Sequence, residues 1–166
     1  DRLGRRTEYA YDSRGNLVSR TYSMEGGSTA SEYWTYNSKG QPVSHTDANG
    51  NTTDYTYLPN GLLQSIVEPA DTPGDGRAVW SFAYDSVGNR TASTDPLGRT
   101  TTYAYDIMNR HISTTTAKGY TESIVYGEGA DAGLVIKKID RNGNITKIAY
   151  DGAGRESART EAFGKP

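Results

Sequence analysis

Residues Tyr9 to Asn16 read Y-A-Y-D-S-R-G-N. The phrase returns as F-A-Y-D-S-V-G-N at Phe82 to Asn89, Y-A-Y-D-I-M-N-R at Tyr103 to Arg110 and I-A-Y-D-G-A-G-R at Ile148 to Arg155. Looser copies are W-T-Y-N-S-K-G-Q at Trp34 to Gln41 and Y-T-Y-L-P-N-G-L at Tyr55 to Leu62. Self-similarity at a fixed period sets an architecture before any single residue is weighed. The second tyrosines are Tyr11, Tyr36, Tyr57, Tyr84, Tyr105, Tyr126 and Tyr150, in steps of 25, 21, 27, 21, 21 and 24. The array therefore holds about seven 21-residue units across residues 1–166, with insertions at 23–30, 69–78 and 127–133.

A second phrase lies between the tyrosine phrases: D-R-L-G-R at Asp1, D-A-N-G-N at Asp47, D-P-L-G-R at Asp95 and D-R-N-G-N at Asp140. Degenerate forms are A-K-G-Y at Ala117 and E-A-F-G-K at Glu161. Each unit thus carries two turns of the form acidic-x-x-Gly. The acid (Asp12, Asp85, Asp106, Asp151) can bond its own backbone two residues on, and the glycine takes positive φ without a Cβ penalty. The turn glycines are Gly15, Gly40, Gly50, Gly61, Gly88, Gly98, Gly143 and Gly154; Asn109 replaces one of them and is the next-best residue there. Between turns the chain is rich in Tyr, Thr, Val and Ile with period-2 alternation, the strand signature. With Gly26, Gly76 and Gly133 in the looser connections, fifteen turns bracket fourteen strands. The expected fold is all-β: one continuous antiparallel meander of about 14 short strands, roughly 65 Å across, coiled into part of a spiral or hollow shell. The insertions at 23–30 and 69–78 should share one rim, and that at 127–133 the other.

Hydrophobic residues make up 34% of the chain, and Tyr supplies 13 residues against two each of Phe and Trp. The shielded face should be amphipathic, held by tyrosine rings stacked across strands and by Thr–Thr pairs. Eighteen basic residues are well mixed among twenty acidic ones, which argues against a nucleic-acid surface. No stretch is long and apolar enough for a membrane span. There are no cysteines, so disulfides and metal thiolates are excluded. Both ends fall in the same phase of the repeat, which reads as an excerpt of a longer array. An isolated excerpt of this kind should self-associate edge to edge or close partly on itself.

Y-x-Y-D-x-x-G-N or R, in seven phased copies covering essentially the whole chain, resembles the YD repeat of Rhs proteins. Similar repeats occur in bacterial Rhs and polymorphic toxins, in C components of insecticidal toxin complexes and in teneurins. The resemblance implies a strand meander spiralling into a hollow shell, which in the toxins encloses a C-terminal toxic domain. It also implies a secreted or bacterial cell-surface setting, partners limited to the rest of the shell and the enclosed domain, and no chemistry or cofactor of its own. Asn37, Leu58 and Gly127 stand where the family has an acid, so those three turns should be looser.

Rhs shells also carry a self-cleavage region with D-P-x-G-L motifs. D-P-L-G-R at Asp95 matches four letters, but Pro96 also suits the second position of an ordinary type I turn. His45 and Asp47 could face one side and hold an ion. The oxygens of Asp47 to Asp54 and of Asp140 to Asn144 suit calcium, although the glycine spacing excludes the helix-flanked calcium loop. Arg5, Arg90, Arg99, Arg110, Arg155 and Lys165 are expected to bridge neighbouring carboxylates on the rim. Two functions follow. A wall could surround a cargo domain, or an aromatic sheet could bind cell-surface carbohydrate through Tyr33, Trp34 and Trp80. Recurrence of the tyrosines favours the wall, and no acid, base and nucleophile converge to suggest an enzyme.

Overall fold

The computed structural model describes residues 6–72 and 75–163. Fourteen strands follow one another: β1 (Thr7–Tyr11), β2 (Leu17–Ser23), β3 (Thr29–Tyr36), β4 (Pro42–Thr46), β5 (Thr52–Tyr57), β6 (Leu63–Val67), β7 (Val79–Tyr84), β8 (Arg90–Thr94), β9 (Thr100–Tyr105), β10 (His111–Thr115), β11 (Thr121–Tyr126), β12 (Val135–Ile139), β13 (Ile145–Tyr150) and β14 (Glu156–Ala162). Strand order follows chain order in one open antiparallel sheet, the meander expected from the repeat. Two compact units divide the chain, Asp1–Ser81 and Phe82–Pro166, with the boundary inside β7. The turns expected around Gly4 with Arg5, and around Gly164 with Lys165, lie outside the described residues.

In the first unit the tyrosine phrases end β1, β3 and β5, and their turns lead into β2, β4 and β6. The Asp47 turn joins β4 to β5. Residues 23–30, expected as a loop insertion, are a loop whose ends join the ladder: Ser23 pairs with Thr29 and Tyr22 with Ala30, and a short 3-10 turn at Glu25–Gly27 lies between them. Extra residues on both arms of a hairpin extend the ladder because each added pair satisfies its own backbone groups. In the second unit, turns at Asp85, Asp106 and Asp151 alternate with those at Asp95, Thr116 and Asp140. The 127–133 insertion there contains a 3-10 turn at Gly129–Asp131. Asn109 takes φ +60°, the left-handed position expected of it.

Neither unit has an oily centre. Among the described residues Ile148 is the one large hydrophobic side chain below a tenth exposed, at 8%. Strands instead show one half-shielded face and one wetter face, as in β9, where Tyr103 and Tyr105 are partly covered while Thr102 and Ala104 are exposed. The expected tyrosine-on-tyrosine stacks are not how the covered face is built. Tyrosine phrases occupy alternate strands, so their rings stand about 10 Å apart, two strand spacings. Arginine and histidine fill the interval. Arg110 lies over Tyr126 at 4.2 Å, Arg90 over Tyr103 at 5.1 Å, and His45 stacks on Trp34 at 4.8 Å. The Thr–Thr pairs are present and flank the second turn of the unit: Thr46 with Thr52, Thr94 with Thr100 and Thr115 with Thr121, Oγ1 to Oγ1 at 2.8, 2.8 and 2.9 Å.

Candidate functional site

Two side-chain devices recur along the array. The first is a turn clamp. Gly15 N–H donates to the Asp12 carbonyl at 3.0 Å, and Asp12 N–H donates to the Asn16 carbonyl at 2.9 Å. Asp12 Oδ1 then accepts from the N–H groups of Arg14 and Asn16, and Oδ2 accepts from Asn16 Nδ2, each at 2.9 Å. Asp47, Asp85 and Asp140 repeat the arrangement with Asn51, Asn89 and Asn144. In the turns of Asp95, Asp106 and Asp151, the Nε of Arg99, Arg110 and Arg155 replaces the amide at 2.6, 2.7 and 2.8 Å. These arginines therefore bridge rim carboxylates as expected, and in each case the acid is that of their own turn. A five-residue turn brings positions one and five within reach, whereas the next turn lies a full hairpin away. Arg90 differs: among the described residues it pairs with no carboxylate, and it lies over the rings of Phe82 and Tyr103 at 5.7 and 5.1 Å.

The clamps hold seven carboxylates below the ordinary range. Side-chain bonds from Asn16, Asn51 and Asn144 do so for Asp12, Asp47 and Asp140, and backbone bonds from Arg110 and Arg155 for Asp106 and Asp151. At Asp85 and Asp95 desolvation is the largest influence and pulls upward, but the combined bonds from Asn89 and Arg99 outweigh it. A depressed carboxylate means that the folded chain binds fewer protons than the unfolded one. Its contribution is complete above the unfolded pKa of about 3.9 and is lost as pH falls through the folded values. Denaturant midpoints should therefore drop between about pH 5 and about pH 2.5. A flat profile there would mean that the clamps do not contribute to stability.

The second device is a tyrosine strut. Tyr36, Tyr57, Tyr105, Tyr126 and Tyr150 donate their hydroxyls to the carbonyls of Leu17, Pro42, Arg90, His111 and Val135, at 2.8, 2.8, 3.1, 3.2 and 2.9 Å. Every acceptor is the first residue of the preceding strand. The strut ties one repeat to the next at the point where the hairpin opens. Tyr84 ends β7 in the corresponding place. Burial, followed by the neighbouring Tyr55, pushes the Tyr57 phenol up. The folded state thus keeps that proton when the unfolded chain loses it, and the contribution present below about pH 10 fades as pH rises through the folded value. Tyr57→Phe should cost about 1 kcal/mol at neutral pH and flatten the alkaline decline. Urea denaturation at about pH 7 and about pH 11 measures both effects.

Cross-turn bonds stiffen the same rim. Arg14 Nη1 donates to the Ser38 carbonyl and Gln41 Nε2 to the Gly61 carbonyl, both at 2.7 Å, and Lys39 Nζ donates to the Pro59 carbonyl. In the second unit Asn89 Nδ2 donates to Asn109 Oδ1 at 3.0 Å. The turns of Asn37 and Leu58, expected to be loose, keep both backbone bonds at 2.8–3.0 Å. Asn37 Oδ1 accepts the same two N–H groups that an aspartate would, from Lys39 and Gln41. At Leu58 the fixed φ of Pro59 and the positive φ of Gly61 shape the turn without an acid. The Gly127 connection is wider, as expected, closing through Gly127 N–H to the Leu134 carbonyl at 2.9 Å.

The three aromatics suspected of sugar binding do not share a face. Cross-strand pairs from Trp34 through His45, Thr53, Tyr55 and Ile66 to Trp80 put both tryptophans on the covered face of the first unit. Tyr33, 53% exposed, points to the other. His45 is occupied by Trp34 and lies 3.6 Å from Glu32, while Asp47 is spent on its own turn. Asp54, the last of the candidate calcium oxygens, pairs with Arg77. Among the described residues no three metal-ligating side chains come together. Asp95 bonds Leu97 N–H, Arg99 N–H and Arg99 Nε, a complete turn clamp. A cleft of about 400 Å³ in the second unit is lined by His111, Thr114, Glu122, Lys138 and Asn144 among others. His111 there contacts Thr114 Oγ1 at 2.9 Å.

Arg77 carried no signal in the repeat. It pins the 69–78 connection by donating to the carbonyls of Glu68, Val67 and Thr52 and to the Asp54 carboxylate. The cross-turn donors had one readable trace, the basic residues Arg14 and Lys39 at the same place in successive copies.

The family model of the RHS repeat matches residues 36–73 and 84–121. Among solved structures, a crystal structure of TcdB2–TccC3 with Cdc42 superposes with a TM-score of 0.71 at 16% identity, covering 92% of this chain and 9% of that one. TcdB2–TccC3 alone gives 0.71 at 17%, covering 95% and 9%. The Tc holotoxin pore of Photorhabdus luminescens, carrying a TccC3 point variant, gives 0.61 at 18%, covering 98% and 8%. This chain thus spans under a tenth of the proteins it resembles, and at these identities the likeness is one of fold. Repeat phrase and strand order agree with the family match: residues 36–73 and 84–121 of the chain are RHS repeats, set in one antiparallel meander.

Proposed function

We propose that this chain is a structural segment of a YD-repeat shell that encloses a toxin or effector domain carried elsewhere in the same protein, acting outside the cell or at the bacterial surface. One observation carries the reading. The side chains that define the repeat are consumed in holding it together, the aspartates in their own turns and the tyrosine hydroxyls on the preceding strand. A residue class so used has a wall-building task. The half-shielded tyrosine face, poor in large aliphatic side chains, suits a wall with a second body or water against it. The likeness to components of Tc toxin assemblies supports a toxin setting.

Limited proteolysis of the full-length parent under native conditions tests this. The region outside the repeats should resist digestion until denaturant opens the wall. Its immediate loss, with the repeats still intact, would overturn the container reading.

A further inference from the structure

Asparagine precedes glycine at three turns, Asn49–Gly50, Asn60–Gly61 and Asn142–Gly143, and all three asparagines are exposed. In such a pair the glycine nitrogen can reach the side-chain amide carbon, because glycine has no Cβ to block the approach. Each glycine N–H also donates to the carbonyl at the head of its turn, on Asp47, Leu58 or Asp140, at 3.0, 2.8 and 3.0 Å. What differs is the N–H two residues beyond the asparagine. In two turns it is already spent on the acid: the Asn51 and Asn144 N–H groups donate to Asp47 and Asp140 Oδ1 at 2.8 and 2.9 Å. The third turn has Leu58 in place of the acid, and its Leu62 N–H donates instead to Asn60 Oδ1 at 3.2 Å. A cation stands beside the same pair, since Lys39 Nζ donates to the Pro59 carbonyl.

We infer that Asn60–Gly61 is a self-modification site, at which the asparagine amide is exchanged for acid through a cyclic imide. Solvent hydroxide takes the Gly61 N–H proton, and the nitrogen attacks Asn60 Cγ. Negative charge develops on Oδ1, where the Leu62 N–H is already placed to hold it. The Lys39 ammonium favours both the anionic nitrogen and the oxyanion. The Cγ–Nδ2 bond then breaks, and the amide leaves as ammonia with a proton from water, closing a five-membered ring. Water opens that ring at either carbonyl to give aspartate or isoaspartate, so the net change consumes water and releases ammonia. The isoaspartyl product carries the main chain through Cγ, one carbon longer, in a turn that must hold the Gly61 N–H on the Leu58 carbonyl. It also adds a carboxylate beside Lys39. A turn that lost its acid thereby ages irreversibly, whether or not the wall encloses a cargo.

Cleavage after Lys39 and Arg77 leaves Asn49 and Asn60 on one tryptic peptide, so one serves as the reference for the other. The full-length parent is held folded in mildly alkaline buffer and mapped by fragmentation mass spectrometry. Acid should appear at Asn60 about tenfold faster than at Asn49 or Asn142, the scale of one hydrogen bond to a developing charge. In concentrated urea the three rates should converge, because the Leu62 N–H no longer faces the amide. Leu58→Asp restores the acid of a turn already built on Asp95 and Pro96, where Asp95 takes the corresponding N–H groups of Leu97 and Arg99. It should bring Asn60 down to the rate of the other two and leave theirs unchanged. Equal rates in the folded protein, an Asn60 excess that persists in urea, or one that survives Leu58→Asp would each overturn the inference.

Discussion

Arg77→Ala lowers the stability of the first unit by about 2–3 kcal/mol, a large effect for a residue outside the repeat. The guanidinium gathers the ends of two strands and the connection that follows them: the Thr52 carbonyl and Asp54 carboxylate of β5, the Val67 carbonyl of β6, and the Glu68 carbonyl beyond it. The ion pair contributes least, because Arg77 and Asp54 are 35% and 39% exposed and water screens them to under about 1 kcal/mol. The three carbonyls matter more. They lie at the mouth of a long connection whose ends meet through Glu68 N–H to the Ala78 carbonyl at 2.8 Å. Without the fork, β6 and β7 must hold their register through their own pairing, that bond, and the Asp75 N–H to Thr72 carbonyl bond at 3.0 Å inside the connection. Arg77→Lys should recover only the ion-pair share, since an ammonium cannot present the planar fork that reaches several acceptors at once. Urea denaturation gives the magnitude, and amide exchange in residues 52–57 and 63–67 locates it. A loss below about 0.5 kcal/mol, within the ordinary range for surface substitutions, would show that backbone pairing alone fixes this part of the sheet.

What could be read beforehand, and what could not, follows from where the information resides. Strands and turns were legible because Asp, Gly and the alternation around Tyr are local signals, repeated until chance is excluded. Asn109 was readable as a left-handed residue because its position in the copy is a glycine's. The strut acceptors were not legible. Leu17, Pro42, Arg90, His111 and Val135 share no side-chain feature, and a carbonyl that every residue carries leaves no mark in a sequence. The partner of the post-glycine arginine was half legible: its charge pointed to a carboxylate, but only turn geometry decides which one. Expecting loose turns at Asn37 and Leu58 gave the acid too much weight. The left-handed residue and two backbone bonds define the turn, and the carboxylate reinforces it. Tyrosine stacking failed as an expectation for a topological reason, because a two-strand repeat puts its recurring tyrosines on every second strand.

That last distinction, between what a repeat prefers and what a site permits, makes the second strong prediction run against the family pattern. Gly127 stands where other copies carry aspartate, so restoring the consensus should help if the repeat rule governs. It should instead cost about 2–3 kcal/mol, the range of overpacking at a filled site. Gly127 is buried in the wide connection between β11 and β12, where it bridges to Ala132. A Cβ built on it would meet Asp131 Cβ at 2.6 Å, the Asp131 carbonyl at 2.8 Å and Ile136 Cγ2 at 3.0 Å. Two of these neighbours belong to the 3-10 turn or the backbone itself, so relief requires moving the turn and not a flexible side-chain end. Gly127→Asp would also set a second carboxylate beside Asp131 with no asparagine or arginine placed to clamp it. Gly127→Ala isolates the steric part and should account for most of the loss. Asn37→Asp is the matched control, because its turn already has the consensus geometry and should change by less than about 0.5 kcal/mol. Thermal or urea unfolding of the three variants decides the matter: if Gly127→Asp is neutral or stabilising, the insertion rearranges freely around the repeat, and the packing argument for its glycine is wrong.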